Sequence, residues 1–565
     1  MTTLTPSSET GAAPVLESLW EQKHWVVPRA DRALLISPEL PEAAELLLKN
    51  RALFQSVETT LLGRSFAELR QAARRTALQA AHAYTSQWVN LSSCAACSDF
   101  DSLSQAPLVL SGHQPQLFHV GVWFKNFVAG RLARESQGVG LNLVVESDMC
   151  SSTALRLPAP PHGKPTFATC EFDTRRSQRP WEEMHLQDRE LFRTFPQRVA
   201  QALAPWGFSP LLESLWPDAL KLSQRTDRLA DLLTAARNSL ERRWGNRNLE
   251  LPISSLCQTE PFLWFLLTIL NELPRFQQTY NDILAEYRRV NHLRSQTHPV
   301  PGLRQLGERI EAPFRVWLPG ETRRRPLFAQ RQGAEIILSD ETDELLRLQF
   351  PVNGDPRPAI EQLQAWQKSG VRLRTRALTT TLYSRLFLGD LFLHGIGGSK
   401  YDEMTDRLIA RFFHISAPGY VTLSASLFLP LNPFPVTPRD AEHFAREEHL
   451  LHWSPEQCEI ASSAGLEPEL LQKLQSLKSE LDSLQRDPHS ARHKLRRREL
   501  HRELHELRAL ITPRVKAEFD RSERPRWEEV TRQLQANEVL ANREWSFALF
   551  PEQLLHDFLH SQGLI

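Results

Sequence analysis

Two short apolar runs that do not alternate with polar residues constrain this chain most: Pro107-Leu-Val-Leu-Ser111 and Asn142-Leu-Val-Val-Glu146. A strand with one wet face alternates, whereas a strand that is apolar throughout is covered on both faces. Between the runs, Phe118, Phe124, Phe127, Val128 and Leu132 fall near one side of a helix. Buried strand, turn, helix and buried strand within about forty residues predict the opening of a parallel α/β sheet.

The signal then stops and returns late. Leu391-Phe-Leu-His394 and Tyr420-Val-Thr-Leu-Ser424 read as strands on either side of an amphipathic helix from Ser399 to Phe413. The expected organisation is a helical region over 1–105, a discontinuous core from 106–150 and 371–440, and a large, mostly helical insertion over 151–370. A segment over 516–565 packs back on the core. In the insertion, the longest apolar run, Phe262–Leu270, is too short to cross a bilayer.

Residues 460–515 differ in kind. Leu470, Leu474, Leu477, Leu481 and Leu484 alternate four- and three-residue spacings, and Leu500, Leu504, Leu507 and Ile511 repeat the pattern beyond Asp487-Pro488-His489. Two heptad seams around a proline predict an antiparallel helical hairpin, a coiled coil that closes on itself or forms a homodimer.

Charge and cysteine usage remove several classes. Lys+Arg and Asp+Glu are both 67, so nothing in the bulk charge attracts nucleic acid or an anionic membrane. The basic run His493–Arg498 reads as a solvated face. Met1–Pro14 is polar and small, without the pattern of a signal peptide. Of six cysteines only Cys94 and Cys97 have motif-like spacing, and one such pair cannot close a zinc site, so no metal site is expected. Reduced thiols in a cytoplasm are the simplest reading.

Chemistry is expected where buried strands end, because ligands of open α/β sheets bind beyond the carboxyl ends of the strands. The first such turn is Ser111-Gly-His-Gln-Pro115. Gly112 permits close ligand approach, His113 is an acid/base candidate and Gln114 offers an amide. Lys125 and Asn126 follow on the apolar helix as anion contacts. The second turn is His394-Gly-Ile-Gly-Gly-Ser-Lys400. It fails the Walker A spacing, but Gly395, Gly397 and Gly398 can present backbone N–H groups, with Ser399 and Asp402 as a capping box and Lys400 as a cation. Glu146 and Asp148 close the second strand, where an acid holds ribose hydroxyls or an amine. Weaker candidates are the alternating Arg372, Arg374 and Arg376.

These residues resemble a known family. Leu110–Ala133, Asn142–Asp148, His394–Tyr401, the heptad hairpin and Asn537–Leu559, with Asn542-Arg543, are similar to the cysteine-adding ligases of bacillithiol biosynthesis. The family's turns read G-Q-Q-x-x-L-F and G-G-P-G-E-x-x-Y. The resemblance implies a Rossmann-like parallel-sheet core, a coiled-coil hairpin able to mediate dimers, and transfer of cysteine to a glucosaminyl-malate type acceptor. It adds Tyr401 to the substrate-binding set, which His394 joins from the turn itself; His113 and Asp148, read from the strand ends, are the catalytic candidates. This chain departs from the family with His113 for the first glutamine of its turn and with Glu146-Ser-Asp148-Met149, which lacks the family's histidine. Three readings compete. One is a ligase acting on an amino acid and an anionic small molecule, with a nucleotide as candidate cofactor. The second is a non-catalytic metabolite- or nucleotide-binding module with a partner-binding hairpin. The third is a nucleotide-sugar or dinucleotide enzyme.

Overall fold

The computed structural model describes residues 25–91, 99–174, 178–295, 297–298, 300–318, 321, 323–352, 354–485 and 491–565. The Cys94/Cys97 pair and the expected turn at Asp487-Pro488-His489 lie outside them. Two compact units are present. Met1–Leu157, Thr169–Leu427 and Arg543–Ile565 form the first, and Pro158–Ala168 with Phe428–Asn542 the second.

The first unit is α/β. Its principal sheet takes six strands, in chain order β1 (Leu34–Ser37), β2 (Leu108–His113), β3 (Val139–Val144), β4 (Leu249–Pro252), β5 (Leu391–His394) and β6 (Tyr420–Ala425). Their spatial order is β1-β6-β5-β2-β3-β4. All neighbours are parallel except β1 against β6. The strands holding the two apolar runs pair directly, Leu108 opposite Val139 and Leu110 opposite Leu141, and Leu108, Val109, Leu110, Leu141, Leu143 and Val144 are buried, as in a strand covered on both faces.

Two strands of this sheet come from stretches expected to contribute none to it. β4 lies inside the expected insertion over 151–370, so that stretch contributes to the core rather than merely interrupting it. Its Leu249-Glu-Leu-Pro252 conceals a buried strand because Glu250 reads as a solvent residue. Glu250 is buried all the same, since Arg237, Asn142 and Asn238 donate to its carboxylate. β1 comes from the expected helical region over 1–105 and covers the edge at β6. The interval also carries a second, antiparallel sheet, ordered Glu344–Gln349, Glu335–Ser339, Arg325–Gln332, Arg309–Trp317, Arg372–Thr375, beside its helices. Arg372, Arg374 and Arg376 face Glu183, Glu182 and Glu311 in ion pairs and are not an open anion site.

Helix α1 (Phe66–Thr85) starts on a Ser65/Glu68 capping box and buries Leu69, Ala73, Ala77 and Ala81 at four-residue intervals. Helix α2 (Val120–Glu135) covers β2, β3 and β6. Helix α3 (Ile396–Phe413) follows β5. On α1, Arg70 and Arg74 are buried against Asp390, the residue before β5, with Asp390 Oδ1 2.9 Å from Arg70 and Oδ2 3.1 Å from Arg74. The backbone N–H of Leu108 donates to the same carboxylate at 2.9 Å.

In the second unit, helices α4 (Pro468–Gln485) and α5 (Ala491–Ser522) bury Leu474, Leu477 and Leu481 against Leu500, Leu504, Leu507 and Ile511. Arg496 pairs with Glu480 and Arg514 with Glu467, so the helices run antiparallel. Among the described residues no helix is long and apolar enough to cross a membrane.

Burial alone would raise the Asp390 carboxyl, but Arg74, Arg70 and the Leu108 N–H hold it below the ordinary aspartate range. Its stabilisation is therefore complete above the unfolded-state pKa and is lost as pH falls through the depressed one. Asp390→Ala strands two buried guanidinium groups and is expected to cost about 3–5 kcal/mol in denaturant unfolding at neutral pH. The difference from the parent should narrow in acid.

Candidate functional site

At the carboxyl ends of the parallel strands lies a cavity of about 540 Å³. Along the sheet, β3 and β4 lie to one side of β2, and β5 and β6 to the other. The connections leaving β2 and β5 therefore diverge and open a crevice between them. Gly112, His113 and Gln114 enter it from the end of β2, and His394, Gly395, Gly397 and Gly398 from the end of β5. Lys125, Asp148, His119 and Arg543 also line it.

His113 stands edge-on to Phe118, ring centroids 5.1 Å apart. Burial and the nearby Lys125 charge push its pKa down to about 3, so at neutral pH it is an uncharged imidazole. Gln114 donates to Asp148 Oδ2 at 2.8 Å, and Arg324 donates to Asp148 Oδ1 at 3.1 Å. The cavity's carboxylate is thus already engaged on both oxygens. Lys125, only 5% exposed, donates to the Gly112 carbonyl at 2.9 Å, and burial lowers its pKa to about 8.

The β5 turn runs directly into α3. Gly395 is the N-cap, with no side-chain cap hydrogen bond. The N–H groups of Ile396, Gly397 and Gly398 consequently lack acceptors within the helix, at its positive end. A Cβ at Gly395 or Gly397 would meet nothing within 4 Å, and neither residue has a positive φ. Neither backbone strain nor packing explains these two glycines, while close approach of a ligand to the N–H groups does. Gly398 differs, because a Cβ there would meet His394 Nδ1 at 3.0 Å. His394 is stacked on Phe392, and its Nε2 lies 2.8 Å from Asp402 Oδ2. Burial opposes the Asp402 charge, but Arg385 and His394 hold that carboxyl well below the usual range.

Several sequence candidates lie elsewhere. Asn126 is buried and donates to Glu241. Glu146 accepts from the N–H groups of Ile253 and Ser254 and caps the turn after β4, and burial together with Glu182 raises its pKa. Ser399 and Asp402 form no capping box, because α3 begins at Ile396. Ser399 is turned to the sheet, accepting from Thr422 Oγ1 at 2.7 Å, while Asp402 faces Arg385. Lys400 is exposed and Tyr401 packs edge-on to His298, so neither lines the cavity. The sequence reading missed His119 and Arg543. A histidine at the start of an apolar helix is a usable signal for the first, and the Asn542-Arg543 pair of the family resemblance is one for the second. Among the described residues no group of three or more His, Cys, Asp or Glu is placed to hold a metal ion.

Compared with known proteins, the chain matches no protein-family model, and no curated protein matches its sequence.

Gly395→Ala and Gly397→Ala are expected to keep thermal stability within about 1 kcal/mol of the parent. Both should weaken citrate or pyrophosphate binding at least tenfold by calorimetry. Affinity should fall as pH rises through about 8, where Lys125 loses its charge. Equal binding by both variants would remove the turn from the site.

Proposed function

We propose that this cavity is the active site of an enzyme that joins an amino acid, cysteine-like in the reading given by the family resemblance, to an anionic small-molecule acceptor. The observation that carries the proposal is the convergence of the two glycine turns, Gly112–Gln114 and Gly395–Gly398, on one crevice that Lys125 and Arg543 also line. The parallel order β4-β3-β2-β5-β6, with the crevice at its reversal point, supports a Rossmann-like core. The leucine seam of α4 and α5 supports a coiled-coil hairpin.

In this reading the N–H groups at Gly397 and Gly398, with Lys125, hold the acceptor's carboxylate or phosphate oxygens. Asp148, held between Gln114 and Arg324, orients the amine. His113 is a neutral hydrogen-bonding group. With its pKa near 3 it is a weak base, so its contribution is to positioning more than to proton abstraction. Amide formation from a carboxylate and an amine releases water and needs an activated carboxyl group, which makes a nucleotide the candidate cofactor.

A non-catalytic binding module is the second reading. It is favoured by the fact that the carboxylate and the three imidazoles of the cavity are either engaged or held neutral. Turnover separates the two. Purified protein, cysteine, a glucosaminyl-malate type acceptor and ATP should yield a mass increase equal to cysteine minus water. Asp148→Asn should reduce the rate by at least tenfold. Binding of the acceptor without any product, with or without ATP, would favour the module.

A further inference from the structure

The C-terminal segment returns to the first unit at Arg543, and its guanidinium reaches the end of β6. Arg543 Nε donates to Ser426 Oγ at 2.7 Å, and Nη2 donates to Ser424 Oγ at 2.7 Å and to the Ala425 carbonyl at 3.0 Å. These three bonds fix the plane of the group. Its Nη1 donates to no acceptor among the described residues, and no carboxylate lies within ion-pair distance of it among them. The group is held rigidly, half-buried, at the wall of the cavity, with one edge unused. A buried or half-buried cation ordinarily takes a carboxylate partner.

His119 stands beside it. The N–H of Gly121 donates to His119 Nδ1 at 3.1 Å, so Nδ1 carries no proton. Burial, with the Arg543 and Lys125 charges, lowers the pKa of His119 to about 4. The neutral ring therefore carries its hydrogen on Nε2 and is a donor there. Gly121 makes the juxtaposition possible. A Cβ at that position would come 2.6 Å from the Ala425 carbonyl oxygen and 3.0 Å from both Arg543 Nη2 and His119 Cε1.

We infer that Arg543 and His119 form a second oxyanion-binding corner of the cavity, distinct from the glycine turn after β5, so that the cavity takes a ligand bearing two separated anionic groups. The inference rests on reading the cavity as a small-molecule site and deepens it. One corner lies at the end of β6 and the start of α2, the other at the end of β5 and the start of α3. Both present donors. Carboxylate and phosphate share the chemistry that satisfies them: several acceptor oxygens, a negative charge and, at Arg543, a planar fork to receive.

Calorimetry on the full chain tests this with two pairs of ligands, citrate against acetate and pyrophosphate against inorganic phosphate. The parent should bind the multiply charged member of at least one pair ten or more times tighter than the singly functional one, and the pair that shows it identifies the source as carboxylate or phosphate. Arg543→Gln should abolish that preference while changing the weaker ligand's affinity less than about threefold. His119→Phe, which removes the Nε2 donor, should reduce the preference in the same direction and serves as the test if Arg543→Gln does not fold. Retention of the full preference in either folded variant overturns the second corner. If the parent binds these anions but shows no preference, the two-group ligand is wrong and the glycine-turn site stands. If the parent binds none of them, the anion-binding reading of the whole cavity fails with it.

Discussion

The buried Asp390 carboxylate is the contact on which the rest of the site depends. It sits immediately before β5 and accepts from the backbone N–H of Leu108 at the start of β2, so one side chain fixes where two neighbouring strands begin. Arg70 and Arg74 approach it from α1, and Arg51 at 3.2 Å from the helix Leu40–Gln55. Next to it, the Asn50 amide donates to the carbonyls of Asp390 and Gly419 and accepts from the Gly419 N–H, which fixes the start of β6 as well. Three parallel strands are pinned at their amino ends. With strand lengths set, the turns at their carboxyl ends are placed too, and those turns are the cavity. A buried ion pair is weak evidence for net stability, because desolvation offsets the attraction. Here its value is registry: removal of Asp390 leaves two buried guanidinium groups without this counter-charge, with backbone carbonyls as their other acceptors.

The opposite end of the sheet is arranged by contrast for incompleteness. At the amino end each strong donor has an acceptor within the chain. At the carboxyl end the first N–H groups of α3 and one edge of Arg543 have none among the described residues. The glycines divide the same way. Gly121 is required by the Ala425 carbonyl and Gly398 by His394, while Gly395 and Gly397 border open space. Burial then tunes the titratable groups. His113 and His119 are neutral, and Lys125 is charged only below about pH 8. A crevice whose one carboxylate is already paired and whose cations are Lys125 and Arg543 selects a ligand that brings acceptors.

How much of this was legible in the sequence follows from the range of the interactions. β2, β3, β5 and β6 are readable because each is a run of four to six mostly apolar residues, a local property. β1 and β4 are not. β1 is four residues long and earns its place by pairing with β6 across most of the chain. β4 hides behind Glu250, which is buried only because Arg237 and Asn142 are brought to it. The two glycine turns were legible as turns. The start of α3 was misplaced by three residues, because serine is a better N-cap than glycine in isolation, whereas Ser399 is claimed by Thr422 in the folded chain. Lys400 and Tyr401 left the site for the same reason. Arg543 entered only as part of the resemblance at Asn542-Arg543, and its place in the site comes from two serines on β6 and the turn beyond it.

The central claim is that the turns after β2 and β5 bind one ligand together. Hydrogen–deuterium exchange of the full chain, with and without saturating citrate or pyrophosphate, tests it most directly. Amides in 112–125 and in 394–400 should both exchange more slowly in the presence of the ligand, while those in the separate cavity around Ser86–Leu91 and Lys221–Arg225 keep their rates. Slowed exchange in only one of the two turns, or in neither while the ligand is bound elsewhere, would contradict the account.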